Sequence, residues 1–135
     1  LYGLLAGEFD APVVMASGDD AFARETPAWL PQTRFAVVKR SAGNRAAISL
    51  SPERARSVIQ EEARAAVAAR ESVRPIRLAP PICCRVEAKM PALADLFSLL
   101  PASTRVDALN VEFTMERPSE VLRVLNLWSA AAASL

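Results

Sequence analysis

The stretch "PVVMASGDDAFARETPAWLPQTRFAVVK", residues 12–39, decides the fold class. Residues 12–16 are a short, unbroken apolar run bounded by a turn, the pattern of a strand buried on both faces. Asp19 or Asp20 is placed to cap a helix from residue 21 to about residue 30, which Pro27 permits only as a short or broken segment. Residues 34–39, "RFAVVK", are again continuously apolar. Strand, short helix and strand in this order predict a parallel β-α-β unit, because a crossover is needed to bring the second strand alongside the first in the same direction.

The flanking segments extend that unit. Residues 1–9, "LYGLLAGEF", read as the end of a helix that Gly3 and Gly7 weaken. After Lys39, "RSAGNRAAISL" reads as a long irregular loop in which Gly43 and Asn44 tolerate positive φ. Loops of this length are often functional, and a plain connector is the competing reading. Then comes the clearest helix, with Ser51 as N-cap, Pro52 at the first helical position and Glu53 in the first turn. Its apolar stripe is Ala55, Val58, Ile59, Ala63, Ala66 and Val67, and the mixed charges opposite predict a solvated face.

A proline-punctuated connector, "VRPIRLAPP", separates this half from a differently patterned one. Residues 82–89 alternate, with Ile82, Cys84, Val86 and Ala88 on one face and Cys83, Arg85, Glu87 and Lys89 on the other. A helix over residues 91–100 follows, then a second alternating strand with Leu109, Val111, Phe113 and Met115 inward. Pro118 opens a last amphipathic helix bearing Val121, Leu122, Leu125 and Trp128. The expected class is α/β to α+β, a short parallel β-α-β unit followed by a β-α-β-α layer with half-exposed strands. The division falls between residues 1–74 and residues 75–135.

Composition narrows the chemistry. A chain of 135 residues has the length of one domain, and 52% hydrophobic with 23% charged residues at net charge +1 indicates a globular piece without a strong nucleic-acid field. The longest uncharged apolar stretch, residues 124–135, is too short to span a bilayer, which takes about 20 residues. Leu1 in the first position, with no charged start or cleavage site, is expected of a partial product. There is no histidine, so the commonest base and metal ligand is missing. Cys83 and Cys84 are adjacent and point to opposite faces of a strand, a poor basis for a disulfide or zinc site, and a reducing compartment is the default.

Strand ends in open α/β sheets are where ligands bind. Ser17, Gly18, Asp19 and Asp20 lie at one such end, and Lys39 and Arg40 at the next. A carboxylate pair beside a cation can bind a polar substrate or share in acid/base work. The alternative is structural, with one aspartate capping the helix while Lys39 neutralises the other. Nucleophile motifs fail, since Ser17 has no GxSxG context and no histidine partner. So do phosphate cradles, because "ASGDD" has one glycine and its carboxylates repel phosphate.

In order, "LAGEFDAPVVMASGDD", "AVVKRSAGNRAAISLSPERAR", "RPIRLAPP" and "VEFTMERPSEVLRVL" resemble the C-terminal half of the zinc D-aminopeptidases of the DppA type. The resemblance covers essentially the whole chain and makes residues 1–74 the C-terminal part of an α/β peptidase domain. It implies a cytoplasmic, homo-oligomeric metallopeptidase that removes D-amino acids from short peptides. It also implies that the zinc ligands, from an acidic motif, two histidines and a glutamate, lie at positions with no counterpart here, so that Glu8 is not one of them. A catalytic zinc needs about three protein ligands, which agrees with none being assignable in this chain. Asp19, Asp20, Lys39 and Arg45 are then the residues expected to line or brace a pocket rim. The competing readings are a non-catalytic interaction or oligomerisation module and a small-molecule-binding domain using the Asp19 and Asp20 corner.

Overall fold

The computed structural model describes residues 1–43 and 46–133, in two compact units. One unit is Phe9–Ile76; the other joins Leu1–Glu8 to the chain from Arg77 onward. Residues 1–8, adjacent in sequence to the first unit, therefore pack in the second.

In the unit Phe9–Ile76, strand β1 (Met15–Asp19) runs parallel to β2 (Arg34–Gly43), and between them lie α2 (Asp20–Glu25) and a single 3₁₀ turn, Thr26–Ala28. The β-α-β unit is as expected, and the helix breaks at Pro27 because proline has no N–H to continue the ladder. Ahead of the strands, Thr33 donates to the Val13 carbonyl at 2.6 Å and the Arg34 N–H to Val14 at 3.1 Å, which fixes the register.

Two local expectations are corrected. β1 begins at Met15, and its residues are half-buried or exposed, because β1 lies at the edge of a three-stranded sheet in which, among the described residues, β2 is central and β3 (Ala46–Ser49) is the other edge. The segment expected as an irregular loop is a hairpin: β2 continues to Gly43, and β3 (Ala46–Ser49) returns antiparallel to it. Backbone pairing rather than apolar content holds this hairpin, since every described β3 residue is exposed, and an apolar-run criterion does not detect such a strand. Gly43 takes φ +149, a conformation L side chains rarely adopt, where the register shifts at the end of β2.

Helix α3 (Pro52–Ala68) starts as expected, with the Ser51 hydroxyl accepting from the Arg54 N–H at 3.3 Å and Pro52 in the first turn. It packs on β2, and Arg34 on β2 pairs with Glu62 at 2.8 Å. Ala66 is fully buried, whereas Ile59 and Val67 of the expected stripe remain exposed. Glu62 takes part of the covered face instead.

In the second unit, α1 (Tyr2–Glu8) accompanies β4 (Ile82–Glu87), α4 (Pro91–Phe97), β5 (Ser103–Arg105), β6 (Asn110–Met115) and α5 (Pro118–Ala132). The antiparallel sheet has the order β4-β6-β5. Its strands alternate as read: Ile82, Ala88, Val111 and Phe113 are buried, while Cys83, Arg85, Glu87 and Thr114 are exposed. The Arg85–Glu112 pair, 2.5 Å apart, joins register partners on the wet face. Trp128 stacks on Phe97 at 4.6 Å between ring centroids and meets Phe113 edge-on at 5.0 Å, so one indole joins both helices to the sheet.

The Glu8 carboxylate accepts from both the N–H and the hydroxyl of Ser119, each at 2.8 Å. It satisfies an amide that the first turn of α5 cannot satisfy internally and couples residues 111 positions apart. Glu120 adds a capping box by accepting the Arg117 N–H at 3.1 Å.

Two outcomes follow for stability. Trp128→Ala removes the shared ring and is expected to destabilise by about 3–5 kcal/mol, read as a lowered urea midpoint. Glu8→Ala is expected to cost about 1–2 kcal/mol and to deprotect the first turn of α5 in amide hydrogen exchange, whereas a solvent-exposed acid elsewhere, such as Glu71, is expected to leave that turn unchanged.

Candidate functional site

Because β1 and β2 are parallel, their carboxyl ends adjoin, and Asp19 is the register partner of Lys39. The pairing shifts between Gly18 and Asp19, where the chain leaves the strand directly for α2. Asp19 has extended backbone, and its carboxylate accepts the Phe22 N–H at 2.8 Å, which makes it the N-cap. Gly18 is needed at this corner because a Cβ there would come within 2.7 Å of the Phe22 ring, which packs edge-on against Phe35 at 5.1 Å.

Asp20 has different partners from those expected. Its Oδ2 pairs with Arg24 at 2.7 Å one helical turn on, and its Oδ1 accepts the Ser41 N–H at 2.7 Å. Lys39 does not neutralise it. Arg24 is closer through the helical i, i+4 spacing, and the Ser41 amide is brought in by the continuation of β2 past Lys39. The Arg24 hydrogen bond, followed by the Ser41 N–H, holds the Asp20 carboxyl below its ordinary value, and the same pairing raises Arg24.

Asp20 and Lys39 then line one side of a depression of about 310 Å³, with Val37, Arg40, Ile48, Ser49 and Leu50 around the rest. Val37, Ile48 and Leu50 are 40%, 57% and 39% exposed, and the β2–β3 register puts Ile48 on the same face as Arg40 and Lys39 on the opposite face. The structure thus brings Asp19, Asp20 and Lys39 to one corner, while Arg45, expected to share it, lies outside the described residues. Sequence reasoning did not select Arg24, Ser41, Ile48 or Leu50. The i, i+4 spacing of Asp20 and Arg24 was the available signal for the first; the other three depend on the hairpin.

The donor set does not suit a metal. Among the described residues, no three His, Cys, Asp or Glu side chains come together to hold an ion, and the chain has no histidine. Cys83 is exposed and Cys84 half-buried on the opposite face, with burial pushing the Cys84 thiol up. The described residues do not fit a zinc centre. Among the described residues, no helix is long and apolar enough to cross a membrane.

The lowered Asp20 value sets a pH response. Its contribution to holding the hairpin is present above the ordinary aspartate value of 3.8 and is lost as pH falls through the lower folded value. The Ser41 amide resonance is expected to move over that acid range and to stop titrating in Asp20→Asn. An Asp19→Asn variant, retaining a capping acceptor, is expected to leave the Ser41 response in place.

The D-aminopeptidase family model matches residues 1–127. A D-aminopeptidase of Bacillus subtilis (strain 168) is 35% identical over 81 residues, covering 60% of this chain and 29% of that protein. The solved Zn-dependent D-aminopeptidase DppA of Bacillus subtilis, described as a self-compartmentalizing protease, superposes with a TM-score of 0.91 at 23% identity, over 98% of this chain and 49% of its own. The chain therefore spans about half the length of that solved relative and shares its fold. By the match over residues 1–127, this chain belongs to the D-aminopeptidase family.

Proposed function

We propose that this chain is the C-terminal portion of a zinc-dependent D-aminopeptidase-like hydrolase acting on short D-amino-acid peptides, with the metal ligands outside it. The observation that carries this reading is the family match along nearly the whole chain. The fold shared with the solved Zn-dependent relative supports it. Zinc in the whole enzyme supplies the hydrolytic chemistry, and this portion supplies a wall of the pocket. In that wall Asp19, Asp20 and Lys39 line or brace the pocket rim, a role this reading extends to Arg45, which lies outside the described residues. Residues 1–74 are assigned to the peptidase domain and residues 75–135 to an α+β subdomain, with Leu1–Glu8 packing in the unit of the latter.

The relative described as self-compartmentalizing supports extending homo-oligomeric assembly to this protein, and the proposed reading takes its location as cytoplasmic. The partner is a short D-peptide, with neither nucleic acid nor membrane involved; the near-zero net charge supports the first exclusion.

The test is an assay of the full-length protein containing this chain against D-alanyl dipeptides. Hydrolysis is expected, with loss on chelation and recovery on adding zinc. Metal-independent hydrolysis, or none after zinc is restored, overturns the reading.

A further inference from the structure

Among the described residues the two sheets end on the edge strands β1, β3, β4 and β5. An edge strand presents a row of unpaired N–H and C=O groups, and charged side chains on it hinder pairing with another chain. β1 carries Asp19, β4 carries Arg85 and Glu87, and β5 carries Arg105. β3 differs: Ala46, Ala47, Ile48 and Ser49 bear no charge, and all are exposed, Ile48 to 57%. The register pairs Ile48 with Arg40, and the Leu50 N–H donates to the Val38 carbonyl at 2.9 Å, so Ile48 and Leu50 turn their backbone groups toward β2. The backbone groups of Ala47 and Ser49 then point away from the sheet.

Ala47 and Ser49 flank Ile48 symmetrically, which makes this edge complementary to itself. We propose that β3 pairs antiparallel with β3 of a second copy of this chain, about a two-fold axis at Ile48. Ala47 of each copy faces Ser49 of the other, and each such pair exchanges both of its N–H to C=O bonds. Ile48 meets its own counterpart at a non-hydrogen-bonded position, where Cα atoms are about 4.5 Å apart and side chains are closest. The product is one continuous sheet, β1-β2-β3 of one copy followed by β3-β2-β1 of the other. Arg40 lies on the Ile48 face, but its counterpart is three strand spacings away, about 14 Å. That exceeds the Debye length of roughly 10 Å at 0.1 M salt, so the repulsion is largely screened. A strand contact of this length buries far less than the roughly 1,200–2,000 Å² of a stable interface, so it serves as one joint of a larger assembly. The proposal rests on the homo-oligomeric part of the peptidase reading and deepens it by naming a contact surface.

The experiment uses the full-length protein containing this chain. Under mild oxidation Ile48→Cys is expected to form a disulfide between position 48 of two copies, identified as a linked peptide by mass spectrometry, because a Cα separation of about 4.5 Å admits that bond. Ser49→Cys is expected to give about tenfold less of the 49-to-49 link, since each position 49 lies diagonal to its own counterpart, roughly 7–8 Å away. Ile48→Lys sets two ammonium groups against each other at the axis and is expected to lower the solution mass by about half or more, read by light scattering, with the circular dichroism unchanged. If Ile48→Lys does not fold, the 48-to-48 link decides alone. A monomeric wild type, an unchanged mass in folded Ile48→Lys, no 48-to-48 link, or a 49-to-49 link of equal yield overturns the proposal. The readings separate: an oligomer that survives Ile48→Lys removes this contact and leaves homo-oligomeric assembly standing, whereas absence of zinc-dependent D-dipeptide cleavage counts against the peptidase reading and not against the contact.

Discussion

The Asp20 carboxylate, shared between Arg24 and the Ser41 N–H, is the interaction on which the candidate site depends. One oxygen is committed along α2 and the other across to β2, so the start of the helix and the far part of the strand are fixed to one group. A parallel pair of strands leaves its carboxyl ends side by side, but nothing in the pairing itself determines where the chain goes afterwards. Here the Ser41 amide is held just beyond Lys39, and the strand continues as a hairpin instead of leaving the sheet. The depression with Lys39, Arg40, Ile48 and Leu50 on its lining exists because of that continuation.

The two units are stabilised differently. The one containing α5 has a core of large side chains, with Trp128 between Phe97 and Phe113 and Val111 fully buried beneath them. The unit Phe9–Ile76 buries mainly small groups, Ala36, Ala66, Val73 and the Thr26 side chain, and leaves Val37, Ile48 and Leu50 in solvent. Small buried residues allow α3 to approach β2 closely but contribute little apolar area, roughly 25 cal/mol for each Å² removed from water. Hydrogen bonds and caps therefore take a larger share of the ordering in this unit. The site lies on its lightly packed side, where exposed surface is available for recognition.

Much of the fold was legible because its signals are local. Ser51 and Pro52 mark the start of α3, Pro27 breaks the crossover helix, and the alternation through Ile82, Val86, Val111 and Phe113 identifies the half-exposed strands. Each depends on backbone geometry or on a period of two, which a neighbour distant in sequence does not alter. β3 and β5 were not legible: one is wholly exposed and the other has three residues, so neither has enough apolar pattern to stand out. Of the site, Asp19, Asp20 and Lys39 were found from the position of strand ends, but the partner of Asp20 was not. Arg24 was within reach by its i, i+4 spacing, whereas only the path of β2 brought the Ser41 amide to the other oxygen.

By itself the sequence determined the β-α-β unit, the alternating strands, the helix starts and the resemblance to the D-aminopeptidases, because these follow from residue type and spacing along a few turns or strands. Tertiary structure alone decided that Glu8 caps a helix beginning at Pro118, that residues 40–43 extend a strand, and that Lys39 is not the partner of Asp20. Those outcomes depend on which groups separated by 20 to more than 100 residues come within hydrogen-bonding distance. A hydrogen bond depends on distances of a few tenths of an ångström, and the linear pattern of residues does not carry that information.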